Sequence, residues 1–92
     1  MDRNFYTRWG EIDIVAEKEG QLHFVEVRSV AGGGFNPALS ITRKKISHLV
    51  KAMEIYLKKS GWRGDYRAHF IGIRYGEGEP EVEFIEDFIE LY

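Results

Sequence analysis

Residues 11–28, EIDIVAEKEGQLHFVEVR, carry the clearest structural signal in this 92-residue chain. The two halves of this stretch alternate apolar and polar side chains and are rich in β-branched residues, a pattern typical of β-strands. Glu19-Gly20 lies between them and predicts a two-residue turn. Residues 11–18 and 21–28 are therefore predicted to form a hairpin in which Lys18 pairs with Gln21.

This hairpin places two acidic side chains against each other. In the predicted register Asp13 lies opposite Glu26, and Glu11 lies opposite Arg28, with each pair on one face of the sheet. Two carboxylates so close destabilise a hairpin, and a divalent cation between them would remove the repulsion. Hard oxygen ligands suit Mg²⁺ or Mn²⁺. The alternative is an exposed face with a Glu11–Arg28 salt bridge, and a one-residue slip in register would also break the pairing.

The rest of the chain predicts a mixed sheet crossed by one long helix. Thr42 is a candidate N-cap and Gly61 a candidate stop for the helix, whose apolar residues recur at helical spacing. The predicted order is β-β-β-α-β with an optional last strand, which is an α/β fold with a long crossover helix. The predicted elements are strands at 3–8, 11–18, 21–28, 66–75 and 81–85, a glycine loop at 30–37, a helix at 42–59 and a short helical tail at 87–92.

Length and composition predict a single domain over residues 1–92. The absence of cysteine excludes disulfide scaffolds, thiolate zinc sites and cysteine catalysis. No apolar run approaches membrane-spanning length and no signal-peptide pattern opens the sequence, so we expect no membrane partner and a cytoplasmic location. Residues 42–67 hold eight basic residues against two acidic ones, whereas residues 77–92 hold seven acidic residues and no basic one.

Three basic residues, Arg43, Lys44 and Lys45, fall in the first turn of the predicted helix. This end of a helix favours negative charge, so three cations there are unfavourable for stability and suited to a bound phosphate. The alternative is a solvated first turn. The histidines are expected to be structural, with His48 on the polar side of the helix, and Phe5, Tyr6 and Trp9 are expected in the core rather than in base stacking.

The hairpin motif carries a resemblance to known nucleases. Asp13 on one strand and Glu26-Val27-Arg28 on the next resemble the PD-(D/E)XK pattern of restriction-endonuclease-like enzymes. The wider sequence resembles the YraN-like family of small bacterial proteins, whose motifs are similar to those of archaeal Holliday-junction resolvases. The segments that carry this likeness are RWGEIDIVA at 8–16, FVEVRS at 24–29, FNP at 35–37 and TRKK at 42–45.

This resemblance implies a restriction-endonuclease-like fold and a Mg²⁺- or Mn²⁺-dependent nuclease acting on DNA, with branched DNA as one candidate substrate. It implies that Asp13 and Glu26 are catalytic and bind the metal, that Glu11 is a further ligand, and that Arg28 orients phosphate or water. Two features depart from the family pattern. Arg28 stands where lysine is common, and arginine effectively cannot lose its proton. The first helix of the family, which carries a further acid, is expected to be missing.

Three functions are therefore open. The first is a DNA endonuclease. The second is a nucleic-acid-binding module that kept the nuclease framework without cleavage, as Arg28 and the missing helix suggest. The third is a structural domain that forms a homodimer through the sheet face that the missing helix leaves bare.

Overall fold

A computed structural model describes residues 2–31 and 41–89, and within them five strands and one helix follow the predicted order. The strands form one mixed sheet in which spatial order equals chain order. The predicted α/β class is thus confirmed. The elements are β1 (Asp2–Thr7), β2 (Gly10–Lys18), β3 (Gln21–Ala31), α1 (Arg43–Ser60), β4 (Asp65–Tyr75) and β5 (Glu81–Ile85).

The β2–β3 hairpin has the predicted register. Lys18 pairs with Gln21, and the pairing continues back to Ile14 opposite Val25. Glu19 and Gly20 both adopt positive φ angles, 53° and 77°, as a primed two-residue turn requires. The hairpin prediction is confirmed over this range.

One prediction for β2 is wrong in detail, because strict alternation of side chains does not hold. Ile12 and Val15 are each 1% exposed and belong to the same core cluster, although they are three positions apart in the strand. Alternation would place them on opposite faces. The strand therefore changes face at Asp13 and Ile14, where the register with β3 ends.

The helix α1 connects two parallel strands. β3 and β4 pair in parallel from Gln21 opposite Asp65 to Ala31 opposite Tyr75, and β5 returns antiparallel to β4. The first two residues of the predicted glycine loop, Val30 and Ala31, belong to β3. The rest of that loop, residues 32–37, lies outside the described residues.

Both predicted caps of α1 are confirmed. The Thr42 Oγ1 accepts a hydrogen bond from the Lys45 N–H at 3.1 Å, and Gly61 ends the helix at φ 70° while its N–H donates to the Leu57 carbonyl. These bonds satisfy backbone groups that a helix end otherwise leaves unpaired.

The helix covers one face of the sheet with the predicted apolar side. Leu49, Ala52 and Met53 are buried in a cluster that includes Phe24 and Val15 from the hairpin. Glu26 and Arg28 share a strand face with Phe24 by alternation, so the helix-covered face also carries the candidate site.

The opposite face lacks such a cover in the part of the chain that the structure describes. Val27 and Ile71 are half-buried there, and on the outer strand Val82 is 67% and Phe84 57% exposed. Pairing of two copies through this face stays a prediction. None of the described helical residues forms a segment long and apolar enough to cross a membrane.

The segment after β5 is not the predicted helix in its described part. Residues 86–89 form turns and a bend, and residues 90–92 lie outside the described range. The Phe88 N–H donates to the Ala68 carbonyl at 3.1 Å, and Ile89 is buried in the core cluster. Backbone contact with β4 replaces the intrahelical bonds that a helical tail would make.

Candidate active site

Asp13 and Glu26 meet where the β2–β3 pairing ends. The Asp13 Oδ2 accepts a hydrogen bond from the Val27 N–H at 2.8 Å, so this side chain binds β3 in place of the strand backbone. The Asp13 and Glu26 side chains also lie close enough for Asp13 to raise the pKa of Glu26 through hydrogen bonding and charge. The change of face at Asp13 is thus coupled to a contact between the two acids that the sequence singled out.

The environment of Glu26 favours its protonated form. The pKa of this carboxyl is raised from 4.5 to about 8, first by burial and then by hydrogen bonding to Asp13 and the negative charge of Asp13, against the lowering effects of Arg28 and the Val27 N–H. Its side chain is only 16% exposed. A positive charge nearby would favour the ionised form of Glu26 and so oppose this rise.

Arg28 supplies such a positive charge. Its guanidinium lies 3.6 Å from the Glu26 Oε2, and 39% of the side chain remains exposed. The described contact of Arg28 is therefore with Glu26 on its own strand, rather than the cross-strand bridge to Glu11 that the alternative interpretation required.

A cleft of about 120 Å³ opens between the hairpin and α1 beside these residues. Glu11, Glu26 and Arg28 line its sheet side, and Lys45 and His48 line its helix side. Asp13 is not among the residues that line the cleft, but it interacts with Glu26, which is. Most of the predicted site residues are thus brought together around one opening.

The donor set of this site fits a hard divalent cation. The carboxylates of Asp13 and Glu26 offer oxygen ligands, and a cation would lower the raised pKa of Glu26 by stabilising the ionised form. Within residues 2–31 and 41–89, no three acidic, histidine or cysteine side chains converge as a preformed metal cluster. Glu11 shares the cleft, so its role as a third ligand stays a prediction.

The three basic residues of the first turn of α1 do not all lie at the cleft. All three are exposed, and only Lys45 lines the cleft. Arg43 and Lys44 do not. A contact of Arg43 and Lys44 with phosphate stays a prediction and would have to involve nucleic acid beyond the cleft.

Sequence reasoning missed the place of Trp9 and His48. His48 was expected on the polar side of α1, but it is half-buried and lines the cleft, with its ring 5.5 Å from that of Trp9. Trp9 lies in the turn between β1 and β2, where its backbone N–H donates to Thr7 Oγ1 at 3.0 Å. The prediction that Tyr6 is in the core is wrong, since it is 74% exposed. The three-residue spacing of Lys45, His48 and Lys51 could have indicated a shared helix side.

A histidine pair, also missed, lies outside the cleft. The His23 Nδ1 and the His69 Nε2 are 2.9 Å apart across β3 and β4, and the Asp87 N–H donates to the His69 Nδ1 at 3.0 Å. Because that nitrogen accepts, the neutral His69 carries its proton on Nε2 and donates to His23. Burial and the charge of His23 lower the pKa of His69.

The fold and cleft define a small α/β protein whose mixed sheet presents a carboxyl pair beneath one crossing helix. A family model described as Uncharacterised protein family UPF0102 matches residues 1–74, and the chain belongs to this family. The predicted YraN-like membership is confirmed at this level.

Relatives in several bacteria share most of the chain. A UPF0102 protein of Wolinella succinogenes is 45% identical over 87 residues, covering 95% of this chain and 75% of the relative. One of Campylobacter hominis is 37% identical over 87 residues, covering 95% and 73%. One of Sulfurimonas denitrificans is 48% identical over 67 residues, covering 72% and 60%.

Proposed function

We propose that this chain is a restriction-endonuclease-like, divalent-cation-dependent nuclease that hydrolyses phosphodiester bonds in DNA, with branched DNA as a candidate substrate. The observation that carries the proposal is the hydrogen-bonded pair of Asp13 and Glu26 on neighbouring strands, with Arg28 two residues further along. This arrangement matches the PD-(D/E)XK pattern, in which an acid on one strand is followed on the next strand by a second acid and, two residues later, a basic side chain.

Each of the candidate site residues has a role in this proposal. Asp13 and Glu26 hold Mg²⁺ or Mn²⁺, and Glu11 adds an oxygen from the cleft wall. When bound, the cation supplies Lewis-acid stabilisation of the charge that develops on the phosphate. Arg28 orients the phosphate through its exposed donors. Its guanidinium remains protonated and serves electrostatically rather than as a base.

Lys45 is the first contact for the DNA backbone, because it lines the cleft opposite Glu26. Arg43 and Lys44 extend this positive charge along the first turn of α1 and would contact more distant phosphates. Their contribution is electrostatic and independent of sequence, so it would appear as a dependence of affinity on salt.

A manganese titration tests the metal site. Mn²⁺ should raise the melting temperature of the wild type, since an ion that binds only the folded state stabilises it. Asp13→Asn should abolish the rise, because the negative charge that binds the ion is lost. The amide oxygen can still accept the hydrogen bond from the Val27 N–H, so the fold should be kept. Glu17→Gln is the matched control, an exposed carboxylate further along the same strand. An equal rise in all three proteins would place the ion elsewhere and reject the site.

A second candidate is a nucleic-acid-binding module without cleavage. The pairing of Arg28 with Glu26 favours it, since the cleft has an arginine where a lysine could give up a proton. DNA binding that persists with Mn²⁺ present and yields no product in any variant would support this candidate over the nuclease.

A further inference from the structure

The turn between β1 and β2 gathers positive charge around one aromatic ring. The Lys51 Nζ lies 4.1 Å and the Arg8 guanidinium carbon 5.2 Å from the ring centre of Trp9. Trp9 is half-buried, whereas Arg8 and Lys51 are exposed. Trp9 therefore positions two solvent-facing cations that come from different parts of the chain.

This cluster is continuous with the candidate active site. Trp9 lines the cleft together with Lys45 and His48, and the His48 ring packs against it. Lys45, His48 and Lys51 follow one another at three-residue spacing, which spans about 9 Å along a helix axis. Basic and imidazole groups thus extend from the cleft over the Trp9 turn.

The charge of this cluster is available to a ligand. A ring attracts a cation through its quadrupole without cancelling the net charge, as a carboxylate would, and leaves N–H donors free to bind. Across residues 2–31 and 41–89, neither Arg8 nor Lys51 forms an ion pair with an acidic side chain. On α1 the next charged residue after Lys51 is the acidic Glu54, three residues further along, and the basic cluster ends there.

We infer that Arg8, Trp9, Lys45, His48 and Lys51 form a binding strip, here called the Trp9 strip, for the phosphodiester backbone of the DNA strand that enters the cleft. The inference rests on the proposed nuclease function and names the surface along which its substrate lies. Trp9 is a positioning residue, while Arg8 and Lys51 contact phosphates beyond those reached by Lys45. Lysine supplies a point charge and arginine a planar fork of donors, both suited to phosphate oxygens.

Fluorescence anisotropy with a labelled DNA duplex, without divalent cation so that no cleavage occurs, measures this contribution. The double variant Arg8→Ala with Lys51→Ala is compared with the wild type across about 50–200 mM salt. The control removes the same charge near the C-terminal end of α1, as Lys58→Ala in the helix with Arg63→Ala just after it. All four residues are exposed, so both double variants should fold, which circular dichroism checks.

Loss of two phosphate contacts should lower the slope of log affinity against log salt by up to about 2 and weaken binding about 10- to 60-fold near 0.1 M salt. The control should stay within about threefold of the wild type. Equal affinities of wild type and strip variant, or equal losses in both double variants, would overturn the inference and leave the nuclease proposal standing. A wild type that binds no DNA at the lowest salt would reject both.

Discussion

Replacing Glu26 by glutamine should change how the stability of the protein depends on pH. The Glu26 side chain is 16% exposed and hydrogen-bonded to Asp13, and its pKa is raised to about 8. Glutamine has the shape of the protonated carboxyl and can still donate to Asp13. It cannot ionise, so the variant lacks the cost that wild-type Glu26 incurs as the pH rises.

The size of the effect follows from the two pKa values. The unfolded carboxyl ionises near its ordinary value of 4.5 and the folded one near 8, so its stabilising contribution is full below pH 4.5 and lost as the pH rises through 8. Between these values the free energy of unfolding falls by about 1.4 kcal/mol per pH unit. The variant should therefore gain about 3 kcal/mol on the wild type between pH 5.5 and 8, which corresponds to at least about 12 °C in melting temperature.

Urea unfolding of both proteins at pH 5.5 and 8 measures this difference, and Glu17→Gln serves as a control whose gap from the wild type should not change with pH. Comparing variant with wild type cancels the other titrating groups. Parallel pH dependence of the two proteins would refute the reasoning, because it would show that Glu26 ionises in the folded protein as it does in the unfolded chain.

Three further predictions concern the cation, Arg28 and His69. At pH 7 cation binding should release about one proton, because Glu26 must ionise to bind the cation. Calorimetry in buffers of different ionisation heat measures the number of protons released, which should fall to zero in Asp13→Asn. Arg28→Lys should raise Mn²⁺-dependent cleavage of DNA, and an unchanged or lower rate would show that lysine is not what this site lacks. Because the pKa of His69 is lowered, chiefly by burial, its stabilising contribution is present above about pH 6.5 and lost as the pH falls. In urea unfolding, His69→Gln should therefore lose less stability than the wild type as the pH falls. An equal loss in both proteins would assign the pH dependence to another group.

The sequence was most informative where the chain interacts with its near neighbours. The Glu19-Gly20 turn and the alternation around it determine the hairpin register from Lys18 opposite Gln21 back to Ile14 opposite Val25. Thr42 and Gly61 bound the helix because capping depends on residues within one turn. These features needed only local geometry.

Other features depend on contacts that local pattern does not encode. The change of face in β2 arises from a side-chain hydrogen bond between Asp13 and the Val27 N–H, which replaces a backbone contact. The His23–His69 pair depends on the parallel register of β3 and β4, and the two histidines are 46 positions apart in the chain. The position of Trp9 against α1 likewise follows from packing between distant segments. The hydrophobicity of the residue alone predicted a core position, because it carries no information about that packing.

Cleavage of labelled DNA, both duplex and branched, in the presence of Mn²⁺ is the decisive assay for the nuclease activity. We expect the wild type and Glu17→Gln to produce cut strands, and Asp13→Asn and Glu26→Gln to bind the same DNA without cutting it. Removal of one carboxylate ligand should reduce the rate by at least about 100-fold, by analogy with the loss of other charge-stabilising groups in active sites. No cleavage by the wild type, or cleavage at an equal rate by Asp13→Asn, would contradict the claim that this carboxyl pair is the catalytic centre of a nuclease.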